Sequence, residues 1–97
     1  MNVCSFTGRL TSTPSIKYES GKAVCKFYLA VKRNRTGDVD YIPCVVWGGY
    51  AESLANSLKK GQLIGVVSKV KTTNFTDDLS RKSVFFEFVV QTVEFLD

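Results

Sequence analysis

The segment DYIPCVVWG, residues 40–48, predicts a β-strand with two different faces. Side chains alternate between the two sides of a strand, so these residues fall into two sets. One set is apolar and predicts a face that packs in a core: Ile42, Cys44 and Val46. The other set contains Tyr41, Val45 and Trp47, and packing alone explains poorly why two large aromatic side chains lie opposite the core. In a basic protein, such aromatics favour a surface on which unpaired bases can stack.

The composition predicts one globular domain spanning residues 1–97. Of its residues, 44% are hydrophobic and 23% are charged, which is ordinary for a folded domain with a single core. Thirteen Lys and Arg against nine Asp and Glu give a net charge of +4. Solubility explains this mild excess as well as binding to a polyanion does. No apolar run has membrane-spanning length, and we expect no leader sequence ahead of the first strand.

The residue types argue against a metal site, a cofactor and an enzyme. Cys4, Cys25 and Cys44 lie in apolar strand patterns and cannot all pair, so we expect buried thiols in a reducing cytosol. The chain has no histidine and no close cysteine pair, so no metal or cofactor is expected. A nucleophile beside a base, a phosphate-cradling glycine loop and a catalytic carboxylate cluster are all missing. Asp77 and Asp78 are better explained by a solvated turn than by a cation site.

Hydrophobic periodicity predicts five strands and one helix. Alternation with period two predicts strands at residues 3–10, 23–32, 40–48, 63–75 and 83–96. Thr36-Gly37-Asp38 predicts a hairpin turn between the second and third strands. An apolar stripe with helical spacing follows Gly49: Ala51, Leu54, Ala55 and Leu58. Lys59 and Lys60 suit the C-terminus of this helix, and Gly61 suits the position after it. Gly65 predicts a sharp bend or a close backbone approach in the fourth strand.

Three strands, a helix and two further strands fit an all-β OB-fold. A sheet this small must close or cover its edges, since open edges recruit foreign strands. The five-stranded Greek-key barrel called the OB-fold does so, with the helix between strands three and four. An SH3-like barrel would lack the helix, and a ferredoxin-like fold would need a second one.

An ordered series of motifs resembles one known family. The motifs follow one another along essentially the whole chain: residues 1–2, 8–11, 18, 20–24, 27, 29–31, 42–48, 51–52 and 58–61. They resemble the DNA-binding domain of bacterial single-stranded-DNA-binding proteins. The resemblance implies an OB-fold that coats unpaired DNA in replication, recombination or repair and usually assembles as a homotetramer. In that family the first strand pairs with its twin across a dimer axis, so a dimer is the alternative assembly.

The family usually continues into a flexible linker and an acidic tip that recruits replication and repair enzymes. This sequence stops at Asp97, so recruitment through a tail is not expected of it. Either the tail was removed or the protein is a naturally short version, for example from a phage or mobile element. The resemblance implies a location in the bacterial cytoplasm, at the nucleoid.

The resemblance also implies which residues bind DNA. Tyr41 and Trp47 correspond to two base-stacking positions, and Phe75 corresponds to a third. Near the hairpin tip, where the family has a fourth aromatic, this chain has Arg35, whose guanidinium plane can also lie on a base. Basic residues of the strands, the hairpin turn and the last loop predict phosphate contacts: Lys26, Lys32, Arg33, Arg35, Lys69, Lys71, Arg81 and Lys82.

The remaining aromatic residues are assigned mainly to packing. Phe27, Phe86 and Phe88 are expected in the core, while Phe6 and Phe95 fit packing or a subunit contact. Tyr28 projects outwards on the second strand, where a stacked base and a subunit interface explain it equally well.

Three binding functions are compatible with this sequence. The first is sequence-independent binding of single-stranded DNA. The second is a protein-interaction OB-fold adaptor of primosome type, in which the same aromatics would contact a partner protein. RNA binding is the third, since no residue is recognised as reading a 2′-hydroxyl.

Overall fold

The computed structural model describes all 97 residues, and the protein is mostly β with one short helix, as the sequence predicted. The elements are β1 (Cys4–Leu10), β2 (Ile16–Glu19), β3 (Lys22–Lys32), β4 (Val39–Trp47), α1 (Gly49–Ala55), β5 (Leu63–Thr76) and β6 (Lys82–Phe95). The five predicted strands correspond to β1, β3, β4, β5 and β6. The short strand β2 was not predicted, because it has only four residues and three of them are exposed, so its alternation is too brief to stand out. It forms by pairing with the start of β3 across the turn at Ser20-Gly21.

The six strands form one sheet in the order β1-β5-β6-β4-β3-β2, and a further β1–β3 pairing closes a ring of strands. All neighbours are antiparallel except β4 and β6, which are parallel. The ring closes at Gly8, where a Cβ would lie 2.3 Å from the carbonyl oxygen of Ala30. At Gly65 the sequence predicted either a sharp bend or a close backbone approach. The close approach is absent, because a Cβ on Gly65 would meet no heavy atom nearer than 3.8 Å.

The core lies inside this ring and is covered at one end by α1. The inward residues of β3 and β4 include Cys25, Phe27 and Cys44, all buried. Burial raises the pKa of the Cys44 thiol to about 12, because ionisation would place a charge among apolar side chains. Cys4 is half-buried, so the prediction of buried thiols holds fully for two of the three cysteines.

Helix α1 buries part of the predicted apolar stripe, and its first turn is hydrogen-bonded to the sheet. Ala51 and Leu54 of the helix are buried in the core cluster, Ala55 is half-buried, and Leu58 is buried just beyond the end of the helix. The backbone N–H of Val93 on β6 donates a 2.7 Å hydrogen bond to the hydroxyl oxygen of Tyr50. Because the helix has seven residues, it is too short to cross a membrane.

The predicted C-terminus of the helix was wrong. The helix ends at Ala55, so Lys59 and Lys60 are not in its last turn and Gly61 is not its terminating residue. Ser57 and Leu58 still donate to the Leu54 carbonyl, but at Lys60 and Gly61 the backbone bonds to β1 and its following loop instead. Lys60 N–H donates to the Thr13 hydroxyl at 2.9 Å, and Gly61 N–H donates to the Leu10 carbonyl at 2.8 Å.

The β5–β6 hairpin extends beyond the core, and we call residues 72–86 the β5–β6 arm. Almost all of these residues are exposed on both faces of the hairpin. Phe86, predicted in the core, is therefore 59% exposed, because it lies opposite Thr72, past the last core layer. Phe27 is buried as predicted, and half-buried Phe88 packs edge-to-face on Phe6 with ring centroids 5.1 Å apart.

Candidate nucleic-acid interface

Four adjacent strands present one continuous outer face. Directly opposite residues in paired strands project to the same side of a sheet. Lys26 of β3 lies opposite Val45 of β4, Val45 opposite Val89 of β6, and Val89 opposite Lys69 of β5. These four side chains therefore share a side of the sheet, and so does every second residue counted from each of them along its own strand. We call this side the outer face. The residues that alternate with them face the core.

Tyr41 and Trp47 are exposed on the outer face of β4. Their exposed fractions are 62% and 37%. They are six positions apart, which is about 20 Å along a strand, so one base cannot contact both. Between them Val45 is fully buried in spite of its outward parity, so the two rings form separate platforms. An open depression of about 360 Å³ beside Trp47 is lined by that residue with Glu19, Ser20 and Lys22.

Phe75 is exposed on the outer face of the β5–β6 arm. It is 40% exposed and has the same parity on β5 as Lys69 and Lys71. Its ring stacks on Phe85 of β6, with centroids 4.8 Å apart and planes at 19°. The sequence interpretation did not single out Phe85. The Phe85-Phe86 doublet was the available signal, since neighbouring residues of a strand point to opposite faces and one of the two must lie outside.

The eight predicted phosphate-binding residues fall into two groups. Three of them form ion pairs: Lys26 with Glu19 at 3.6 Å, Arg33 with Asp40 at 2.8 Å and Arg81 with Asp77 at 2.6 Å. The other five have no carboxylate within ion-pair distance: Lys32, Arg35, Lys69, Lys71 and Lys82. These five unpaired basic residues lie on the two hairpins whose strands form the outer face, the β3–β4 hairpin and the β5–β6 hairpin.

Arg33 forms a bidentate ion pair with Asp40. Its Nε and Nη2 groups donate hydrogen bonds of 2.9 and 2.8 Å to the two carboxylate oxygens. These bonds hold the pKa of Asp40 below its usual range and raise the pKa of Arg33. Asp40 has the parity of Ile42 and Cys44, so this pair lies on the side of the β3–β4 hairpin away from Tyr41.

Arg81 is part of the turn at the tip of the β5–β6 arm. The backbone N–H groups of Leu79 and Arg81 donate to Asp77 Oδ1 at 2.9 Å, and Arg81 Nε donates to Oδ2. These donors, first of all the backbone N–H of Arg81, lower the pKa of Asp77. The carboxylate is therefore ionised at neutral pH and organises the turn. The sequence analysis had assigned Asp77 and Asp78 to a turn.

The outer face combines flat apolar groups with unpaired positive charge. Such a surface can receive unstacked bases on its rings and phosphates on its lysines. No three His, Cys, Asp or Glu side chains lie close enough together to hold a metal ion.

Known proteins resemble this chain over its whole length. The model of the single-strand binding protein family matches residues 1–96. Single-stranded DNA-binding protein 2 of Listeria monocytogenes is 42% identical over 103 aligned residues, which cover 100% of this chain and 64% of the relative. The single-stranded DNA-binding proteins of Halalkalibacterium halodurans and Enterococcus faecalis are 39% and 37% identical, also across the full chain. The chain spans 55–64% of the length of these three relatives.

Proposed function

Because the chain belongs to the single-strand binding protein family, we propose that it coats single-stranded DNA without reading its sequence. The family adopts the OB-fold and is non-catalytic, so the role is binding and protection of an unpaired strand. One observation carries the proposal: Tyr41, Trp47 and Phe75 are all exposed on one face of the sheet that also bears unpaired lysines.

Base stacking supplies affinity without sequence preference. Every base has a π-face, so a ring that accepts one base accepts the others. A stacked base contributes about 1–3 kcal/mol as measured by alanine substitution. Three platforms could together supply several kcal/mol for each protein molecule. Tyr41 and Trp47 would engage different nucleotides, since they lie about 20 Å apart along β4.

Phosphate contacts come mainly from the unpaired cations in this proposal. Lys32 and Arg35 lie on the β3–β4 hairpin, and Lys69, Lys71 and Lys82 lie on β5 and β6. A phosphate that approached Arg33 or Arg81 would have to compete with a carboxylate already bound there. We therefore assign these two arginines, and ion-paired Lys26, a smaller share of the binding.

Self-association accompanies the proposed function. Residues 4–8 of β1 pair with β5 on one side only, because β3 reaches β1 at Arg9 and Leu10 alone. An open strand edge is a template for another strand, and a second copy of β1 would cover it. The family favours a tetramer over a dimer, and we propose a tetramer. We also propose that the protein acts on unpaired DNA in the bacterial cytoplasm during replication, recombination or repair.

Fluorescence titration of the intact protein with oligothymidine tests the proposal. Stacking on Trp47 should quench its emission, and the affinity should fall with salt at a log–log slope near −0.7 per phosphate contacted. Duplex DNA of equal length is the control and should bind more weakly. An unquenched indole together with the absence of a salt-sensitive complex would contradict the proposal and favour an adaptor. Equal or tighter binding of oligouridine would favour RNA.

A further inference from the structure

We infer that Phe85 is a base-stacking residue, which forms with Phe75 a two-ring site for an unpaired base on the β5–β6 arm. The inference rests on the proposed function, since it adds a residue to the surface that would bind single-stranded DNA. It does not follow from the predicted stacking positions, which are Tyr41, Trp47 and Phe75.

The two rings form one apolar platform. Thr73 lies opposite Phe85 and Ser83 opposite Phe75, so the two phenyl rings are diagonal neighbours on the same face of the hairpin. A centroid distance of 4.8 Å and an interplanar angle of 19° are those of an offset stack. In a stack of two rings, each ring covers one face of the other and leaves one face open.

Phe85 presents the larger open surface of the pair. It is 63% exposed, against 40% for Phe75. The residues opposite and beside it on this face, Thr73 and Ser83, are small. The arm lies outside the core, so no packing layer of the same chain covers the ring. A nucleobase laid on this open face would bury apolar surface from both partners and extend the stack of rings.

The charges around the pair suit a nucleotide. Lys69 and Lys71 lie on the same face of β5 as Phe75, and neither is within ion-pair distance of a carboxylate. Lys82, near the tip of the arm, is also unpaired, but it alternates with Phe85 as Phe86 does and so lies on the other face of the hairpin. On this face of β6, Glu87 lies opposite Lys71, and Glu94, opposite Gly65, lies at the end of the strand far from the arm. A base on Phe85 would therefore have the unpaired lysines of β5 on the same face for its phosphates.

The first test compares Phe85→Ala with Phe86→Ala in oligothymidine binding. Phe86 is a matched control, because it is the next residue of the same strand and is 59% exposed, but projects to the opposite face. Loss of one stacked base predicts about five- to a hundredfold weaker binding for Phe85→Ala. Phe86→Ala should bind like the parent. Equal affinities of the two variants would overturn the inference.

The second test distinguishes direct stacking from support of Phe75. In a Trp47→Phe background, Phe85→Trp and Phe86→Trp each give a protein with a single indole. Oligothymidine should quench the indole at position 85 and leave the one at position 86 unchanged. An unquenched indole at position 85 would overturn the inference even if Phe85→Ala weakened binding. If the parent protein bound no oligothymidine, the proposed function itself would have failed, which the titration of the parent reveals separately.

Discussion

Gly8 lies at the point where the ring of strands closes, and its lack of a side chain allows the closure. Arg9 and Leu10 pair with Ala30 and Leu29, which brings the backbone of β3 over Gly8. A Cβ there would lie 2.3 Å from the Ala30 carbonyl oxygen and 2.9 Å from its carbon, and both are backbone atoms that cannot rotate away. Gly65 has the opposite surroundings, since its nearest contact would be 3.8 Å. The same residue type thus has different roles on two paired strands.

We predict that Gly8→Ala destabilises the fold. The added methyl group would force β1 and β3 apart, and overpacking of this kind costs about 1–3 kcal/mol. Urea unfolding followed by circular dichroism measures the change in the free energy of unfolding. Gly65→Ala is the control and should stay within about 1 kcal/mol of the parent, because a Cβ fits there. Equal stability of the two variants would show that the β1–β3 contact can relax.

At the scale of elements, the β5–β6 arm depends on its turn, because no core layer supports it. Asp77 accepts hydrogen bonds from the backbone of Leu79 and Arg81 and from the Arg81 side chain. Ser80 has a positive φ of 62°, which the turn requires and which costs free energy in a residue with a side chain. The network around one carboxylate therefore keeps the two strands of the arm in register up to Thr76 and Lys82. The Phe75–Phe85 stack lies just inside this turn.

We predict that Asp77→Ala loosens the tip of the arm. Hydrogen exchange measured by NMR should be faster at the amides of Leu79 and Arg81, which lose their acceptor. In the parent, the folded pKa of Asp77 lies below its unfolded value, so the stabilisation is present above about pH 4 and is lost as the pH falls through the folded pKa. Asp78→Ala is the control, because this neighbouring carboxylate accepts none of these hydrogen bonds. Unchanged exchange in Asp77→Ala would contradict the role of Asp77.

At this scale, elements with a buried face were predicted more accurately from the sequence than exposed elements. Strands that cross the core keep one apolar face along their length, so β3 and β4 and the exposure of Tyr41 and Trp47 could be predicted. Alternation over only four residues is too short a signal, which is why β2 was missed. It carries no information where both faces of a strand are exposed, which is why Phe86 was placed in the core. The helix end was misjudged because tertiary hydrogen bonds to Thr13 and Leu10 replaced helical ones. No local pattern records such distant partners.

At the scale of the whole molecule, the distribution of ion pairs matters more than the net charge of +4. The basic residues that could bind phosphates without competition are unpaired and lie on the β3–β4 and β5–β6 hairpins. Lys26, in the middle of the outer face, is instead paired with Glu19 at 3.6 Å. Glu19 also lines the depression beside Trp47. Both side chains of this pair are about half exposed, and exposed pairs contribute only about 0–1 kcal/mol to stability. Glu19 therefore lowers the positive potential beside Trp47 and gives little stability in return.

We predict that Glu19→Gln strengthens binding of single-stranded DNA. The change removes a negative charge beside Trp47 and frees Lys26 for a phosphate, so the log–log slope of affinity against salt should become more negative by about 0.7. Oligothymidine titrations at several salt concentrations measure this slope. Glu94→Gln is the control, since it removes the same charge from a site beside β1 that has no ion pair. It should leave the slope unchanged, because no cation is released. A steeper slope in both variants would mean that general electrostatics, and not Lys26, sets the salt dependence on this part of the outer face.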